Sequence, residues 1–338
     1  MIRRLPDNYS ALYADLLQKA DDSAFVALSG GTFTAKTIHG SRYWYYQTRT
    51  LAGQVQKYLG KEGDALLAKI EMAKSARTEA KLILAERRRL VAMLLVSGAT
   101  PEKGRPAKIL EKMADAGLFS AGGVLVGSFA FACYGNMLGA ALDASLSRTE
   151  DMDFSVAREL EIGLQRNMKD DLVAAEPSLI TPAQINPWIV PFEMKSPDGF
   201  KVEFLTTKTG AQDKAPVLIE RFGIHAQPLD YMDYLIEGTQ RAIVLNGSGI
   251  PVMVPNPAKF AVHKLAISQL RPVGLRTKAA KDIKQASALI EVLADDNPGA
   301  LLLAVEAASA RNDGLITLIK NGAAKLDSSI RMAFENAG

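Results

Sequence analysis

Apolar and polar positions change rhythm several times along the chain. Over residues 8–22, Leu12, Leu16 and Leu17 fall on one side of a helical wheel and predict a helix. The stretch "GTFTAKTIHGSRYWYYQTR" (31–49) holds two β-rich runs around His-Gly, a hairpin signal. Residues 61–97, rich in Ala, Leu, Lys and Glu, predict one long helix or two. A short amphipathic helix follows over 107–119, ending at Gly117.

The pattern then tightens. "GGVLVGSFAFACYGNMLG" (122–139) predicts a buried strand, a Gly-Ser turn and a helix with apolar spacing. Such a turn places backbone N–H groups and the Ser128 hydroxyl at a helix N-terminus, a ready anion site, and Gly127 lets the backbone approach a ligand closely. A loop over 139–148 leads to "TEDMDF" (149–154). If that segment is a strand, Met152 and Phe154 face the core while Asp151 and Asp153 aim two carboxylates at one spot. Aspartate is depleted in strands, and paired carboxylates repel unless something positive lies between them. A divalent metal answers that; so does an exposed strand edge with solvated acids.

Further on, "PFEMKSPDGFKVEFLTT" (191–207) predicts a hairpin around Ser-Pro-Asp-Gly. Its second strand turns Val202 and Phe204 one way and Lys201, Glu203 and Leu205 the other. Residues 242–257 predict another hairpin. Helices follow, one opening at Pro257 and one stopped by Asn-Pro-Gly at 297–299, with an apolar helical tail to close a bundle. The predicted class is α/β with a mixed sheet core. A basic helix/hairpin region (1–97) and a helical domain (256–338) flank a central unit (98–255).

Composition, 48% hydrophobic and 23% charged, is that of an ordinary globular protein. The longest strongly apolar run, "LVAMLLV" (90–96), is too short for a bilayer, and "MIRRLPDNYS" has no signal-peptide core. One cysteine, Cys133, and three histidines argue against disulfides and zinc and suit a reducing cytoplasm. Cys133 and His263 read as packed side chains. Charge is uneven: residues 1–110 carry 18 Lys and Arg against 10 Asp and Glu, the remainder 22 against 27. A basic first third suits a polyanion or a solvated face. The Arg-flanked "RYWYYQTR" suits stacking on single-stranded nucleic acid, or packs half its aromatics under the hairpin.

A strand-turn-helix cradle, an Asp-x-Asp strand and a later strand acid occur in that order. Phosphoryl or nucleotidyl transfer with two metal ions about 3.5–4 Å apart needs these parts. "LVGSFAFACYGNMLG…TEDMDF…KVEFL" resembles the nucleotidyltransferase-fold (polymerase-β-like) superfamily, which includes tRNA CCA-adding enzymes, poly(A) polymerases and aminoglycoside nucleotidyltransferases. More narrowly, "AGLFSAGGVLVGSFAF", "DGFKVEFLT", "AQPLDYMDYLI" and "VPNPAKFAVHKL…KAAKDIKQA" resemble a bacterial nucleotidyltransferase-like family without an assigned substrate.

The resemblance implies transfer of NMP from an NTP such as ATP to a hydroxyl, releasing pyrophosphate. Asp151, Asp153 and Glu203 would be catalytic and hold two Mg²⁺ (or Mn²⁺), while Gly127 and Ser128 would hold the triphosphate. Lys264 and Lys281, on the helices that follow, would contact phosphate, with Asp282 orienting Lys281. Ser128 and Asp151 lie 23 positions apart, longer than in compact members, and the extra residues predict a loop over the site. The basic N-terminal region points to a nucleic-acid acceptor, such as tRNA or another RNA. A protein side chain and a small molecule are the other acceptor classes. The alternative is a non-catalytic nucleic-acid-binding or regulatory protein on the same fold.

Overall fold

The computed structural model describes residues 2–24, 31–38, 41–50, 53–158, 167–182, 190–210 and 212–337. The chain opens with a short strand β1 (Arg3–Arg4) and helix α1 (Tyr9–Ala24). A three-stranded antiparallel sheet follows: β2 (Gly31–Ile38), β3 (Ser41–Thr50) and β4 (Gly53–Lys61). The hairpin reading of 31–49 holds for both strands; its His39-Gly40 turn lies outside the described residues, and β4 was not foreseen. Residues 61–97 resolve into one 33-residue helix, α2 (Asp64–Val96).

Next come α3 (Gly104–Asp115), β5 (Val124–Val126), α4 (Gly127–Met137), β6 (Ala140–Ala141), β7 (Asp151–Ser155), α5 (Met168–Ala175), β8 (Glu193–Lys195) and β9 (Lys201–Thr207). The rest is β10 (Val217–Ile219), β11 (Ile224–Leu229), α6 (Met232–Ile236), β12 (Gln240–Val244), β13 (Ile250–Val254) and five helices. These are α7 (Pro257–Leu270), α8 (Arg276–Asp296), α9 (Pro298–Ser309), α10 (Leu315–Ala323) and α11 (Ser328–Ala337).

The central sheet is mixed, in the order β10-β11-β9-β7-β5. β7 and β9 run parallel, β5 lies antiparallel to β7, and β8 folds back on the first half of β9. Period-two alternation sets the faces of β7 and β9: Met152, Phe154, Val202 and Phe204 are buried, and the Phe154 and Phe204 rings stack at 5.7 Å. Asn256 starts α7 by accepting the N–H groups of Ala258 and Lys259 at 2.9 and 3.3 Å, with Pro257 in the first turn.

One apolar cluster runs from Ala107 to Phe334, so the central sheet and the C-terminal helices share a core. A second cluster, including Tyr9, Leu16, Val91, Leu94 and Ile243, ties α1 and α2 to β12. Tyr13 locks that joint by accepting the Ile243 N–H at 2.9 Å. Among the described residues, no helix is long and apolar enough to cross a membrane.

Candidate active site

β5 ends at Val126, in register with Asp153 of β7, and the chain turns at once into α4. Gly127 is already helical in the hydrogen-bonding sense but takes φ +65°, which L side chains rarely adopt. A Cβ here would collide with Asp153 Oδ2. Among the described residues no side-chain cap bonds this end of α4, so its first N–H groups, beside Ser128, lack a capping side chain.

The strand register assembles the acids. Asp153 stands opposite Glu203 on β9, and Glu203 stands opposite Glu193 on β8. Asp151 lies two residues earlier on the Asp153 face. Among these carboxylates sits Lys201. Its amine bonds Glu203 and lies 3.7 Å from Asp151 and 3.9 Å from Glu193. Lys278, from α8, reaches Asp151 Oδ2 at 2.9 Å.

The environments of the two aspartates diverge. Burial raises Asp151, but Lys278 and Lys201 outweigh it and hold the carboxyl below its ordinary range. Asp153 is pushed up to about 7, by burial first and then by the charges of Glu203 and Asp151. Glu193 is raised too, by burial and by its contact with Glu203. Burial alone would lower Lys201, yet Glu203, Asp151 and Glu193 together raise it.

Helix α8 closes one side. Lys281 donates to the Arg148 carbonyl at 2.6 Å and Gln285 to the Leu146 carbonyl at 2.8 Å. The loop between α4 and β7 is thus clasped by α8, while its β6 pairs with β1 on the other flank. The loop also walls a cavity of about 260 Å³ along α4, lined by Phe129, Cys133, Glu102, Arg148 and Thr149 among others. Thr149 Oγ1 accepts the Asp151 N–H at 3.1 Å, which joins the cavity rim to the acids.

The sequence suggests that Asp282 orients Lys281; the structure corrects this, since Lys281 bonds the Arg148 carbonyl. Asp282 is buried and takes Lys264 Nζ at 2.6 Å and Arg271 Nε at 2.9 Å. Lys264, itself 8% exposed, is therefore held by Asp282, and it acts on Asp153 through its charge. His263 and Cys133 are buried, as packed side chains should be. Glu193 and Lys201 were missed as site residues. Counting back across the Ser-Pro-Asp-Gly turn would have paired Glu193 with Glu203.

The donor chemistry is all carboxylate oxygen, which hard divalent cations such as Mg²⁺ and Mn²⁺ favour. Asp153 is raised by burial first and then by the charges of Glu203 and Asp151, so a cation beside it would favour its ionised form. Among the described residues no three His, Cys, Asp or Glu side chains already converge as a cage. Lys201 lies within 4 Å of Asp151, Glu193 and Glu203; Asp151, Asp153 and Glu203 suit a cation in donor chemistry and strand register, and the amine would have to move aside for one.

The protein is thus of the mixed α/β class, with carboxylates on adjoining strands beside an uncapped helix N-terminus. A family model described as nucleotidyltransferase matches residues 105–310, more than half the chain, and the chain belongs to that family. The match spans Gly127, Ser128, all four carboxylates, Lys264 and Lys281. No curated protein and no solved structure matches the chain.

Proposed function

We propose that the protein is a Mg²⁺-dependent transferase that moves NMP from an NTP, such as ATP, to a hydroxyl and releases pyrophosphate. The observation that carries this is the register of Asp153 with both Val126, the residue before Gly127, and Glu203. It sets the head of α4 directly beside the acids, which supports phosphate binding there.

Asp151, Asp153 and Glu203 would hold the cations, two in number by the superfamily pattern. When bound, these ions polarise the transferred phosphoryl group and neutralise the leaving pyrophosphate. The N–H groups at Gly127 and Ser128 hold the triphosphate oxygens, and Lys281 and Lys278 supply positive charge from α8. Glu203 accepts the proton of the attacking hydroxyl. Lys264 shapes the field from its buried pair with Asp282. The acceptor is a nucleic-acid hydroxyl, with RNA such as tRNA the first class to test, and the site of action is the cytoplasm.

Incubating the protein with each α-labelled NTP, Mg²⁺ or Mn²⁺ and a cell extract tests the reading. Label should pass to one macromolecular fraction with pyrophosphate release, and D153N should give none. If no NTP labels any fraction with either cation, the reading fails and a non-catalytic role on this fold takes its place.

A further inference from the structure

Between Asp22 and Glu62 the chain carries five Lys or Arg and not one Asp or Glu. The β2–β3–β4 sheet is built from the last 31 residues of that interval, which include six aromatic residues. Alternation on β3 sorts the aromatics. Trp44 faces the helix side: its Nε1 donates to Glu62 at 2.8 Å, and Lys74 of α2 lies 5.7 Å from its ring centre. Tyr43 and Tyr45 turn to the opposite face, neither ring buried. Lys36, exposed and paired across the sheet with Tyr43, holds its amine 5.0 Å over the Tyr45 ring.

We infer that the Tyr43–Tyr45–Lys36 face binds single-stranded nucleic acid and is where the acceptor is held. This rests on the transferase reading only for the word acceptor. Aromatic rings on a sheet face stack on bases of any sequence, and interleaved cations track phosphate. An acid-free segment removes the repulsion that a mixed surface would impose on a polyanion. A merely solvated basic face accounts for the charges but not for two tyrosines and a lysine sharing one side. The sheet is also remote. Lys74 lies 13 residues before Arg87, which α2 anchors to the Ser248 carbonyl at 3.0 Å, so the sheet stands about 20 Å out along the helix. In this reading the sheet governs acceptor affinity and the acids carry the chemistry.

The test is fluorescence anisotropy of full-length protein with a fluorescein-labelled single-stranded RNA of about 20 nucleotides, without NTP. Wild type should bind with affinity falling steeply in salt. Y43A/Y45A, checked for native circular dichroism, should bind about tenfold or more weakly, while Y45F keeps wild-type affinity. K36Q should lower the salt slope by about 0.7 if it neutralises one phosphate. D153N should bind as wild type does; wild type that binds RNA yet transfers label from no NTP sinks the transferase reading and leaves this one standing. The inference is overturned if no single strand binds at low salt, or if polyglutamate binds in its place. It also fails if neither Y43A/Y45A nor K36Q changes the RNA isotherm or its salt slope.

Discussion

Asp153 occupies the space a side chain at position 127 would need: a Cβ there would clash with its Oδ2 and lie 3.3 Å from its Cγ. The helix start and the acid strand are thus fitted to each other at a single glycine. Gly127→Ala should displace Asp153 and strain a φ of +65°, lowering stability by about 1–3 kcal/mol and cutting transfer at least a hundredfold. Ser128→Ala, which removes one hydroxyl, should weaken NTP binding only severalfold. Calorimetric NTP titration with Mg²⁺ on both variants checks this. Equal affinity in G127A and wild type would make the turn purely structural.

The two aspartates should respond oppositely to loss of charge. Asp153→Asn removes a buried carboxylate that burial and its neighbours disfavour, so thermal stability without metal should rise. Asp151→Asn breaks the contacts with Lys278 and Lys201, so stability should fall, by up to about 1 kcal/mol given the exposure of Lys278. Both should abolish transfer. Melting curves in chelator decide it, and shifts of the same sign would contradict the charge balance described for the site.

Breaking the pair between α7 and α8 should cost more than any surface pair. Asp282→Asn leaves Lys264 buried without its carboxylate, a loss of about 3–5 kcal/mol by urea denaturation. Lys278→Met should cost under about 1 kcal/mol. Comparable losses in the two variants would show that the Asp282 cluster is not a structural tie.

His263 supplies a pH signature. Burial, and secondarily the charge of Lys264, lower it to about 3, and neither ring nitrogen has a hydrogen-bond partner among the described residues. The folded state therefore keeps it neutral while the unfolded chain protonates near 6.5. Its contribution is present above 6.5 and is lost as pH falls toward 3, with a slope of at most about 1.4 kcal/mol per pH unit. His263→Leu should flatten the fall in stability between pH 6.5 and 5. An unchanged slope in urea titrations would mean the imidazole is not the acid-labile group.

The parts legible in the sequence were those set by local periodicity. Met152 and Phe154 fixed the face of Asp151 and Asp153, and the Ser-Pro-Asp-Gly turn fixed the hairpin that carries Glu203. The run from "VLV" into "GSFAF" announced a strand feeding a helix. What stayed hidden depends on contacts across the chain. Nothing near Lys278 says that it will meet Asp151, 127 positions earlier. Lys201 was placed on the Glu203 face, but its contact with Asp151 needs the parallel pairing of β7 and β9. Lys264 was expected to contact phosphate, because its partner, Asp282, lies on the next helix and the pairing is not visible locally. On β3, alternation required Trp44 and Tyr45 to face opposite ways, yet only the position of α2 decides which one faces outward.

The amines of Lys201 and Lys278 among the acids bear on the order of events in the life of the molecule. A cluster of bare carboxylates would oppose its own closure, and the chain would have to wait for an ion before folding. With tethered ammonium groups already in place, the newly made polypeptide can complete its fold alone. Under the proposed function, an ion arriving later would exchange with a side chain instead of filling a void, so making the protein and switching it on would be separate steps in time.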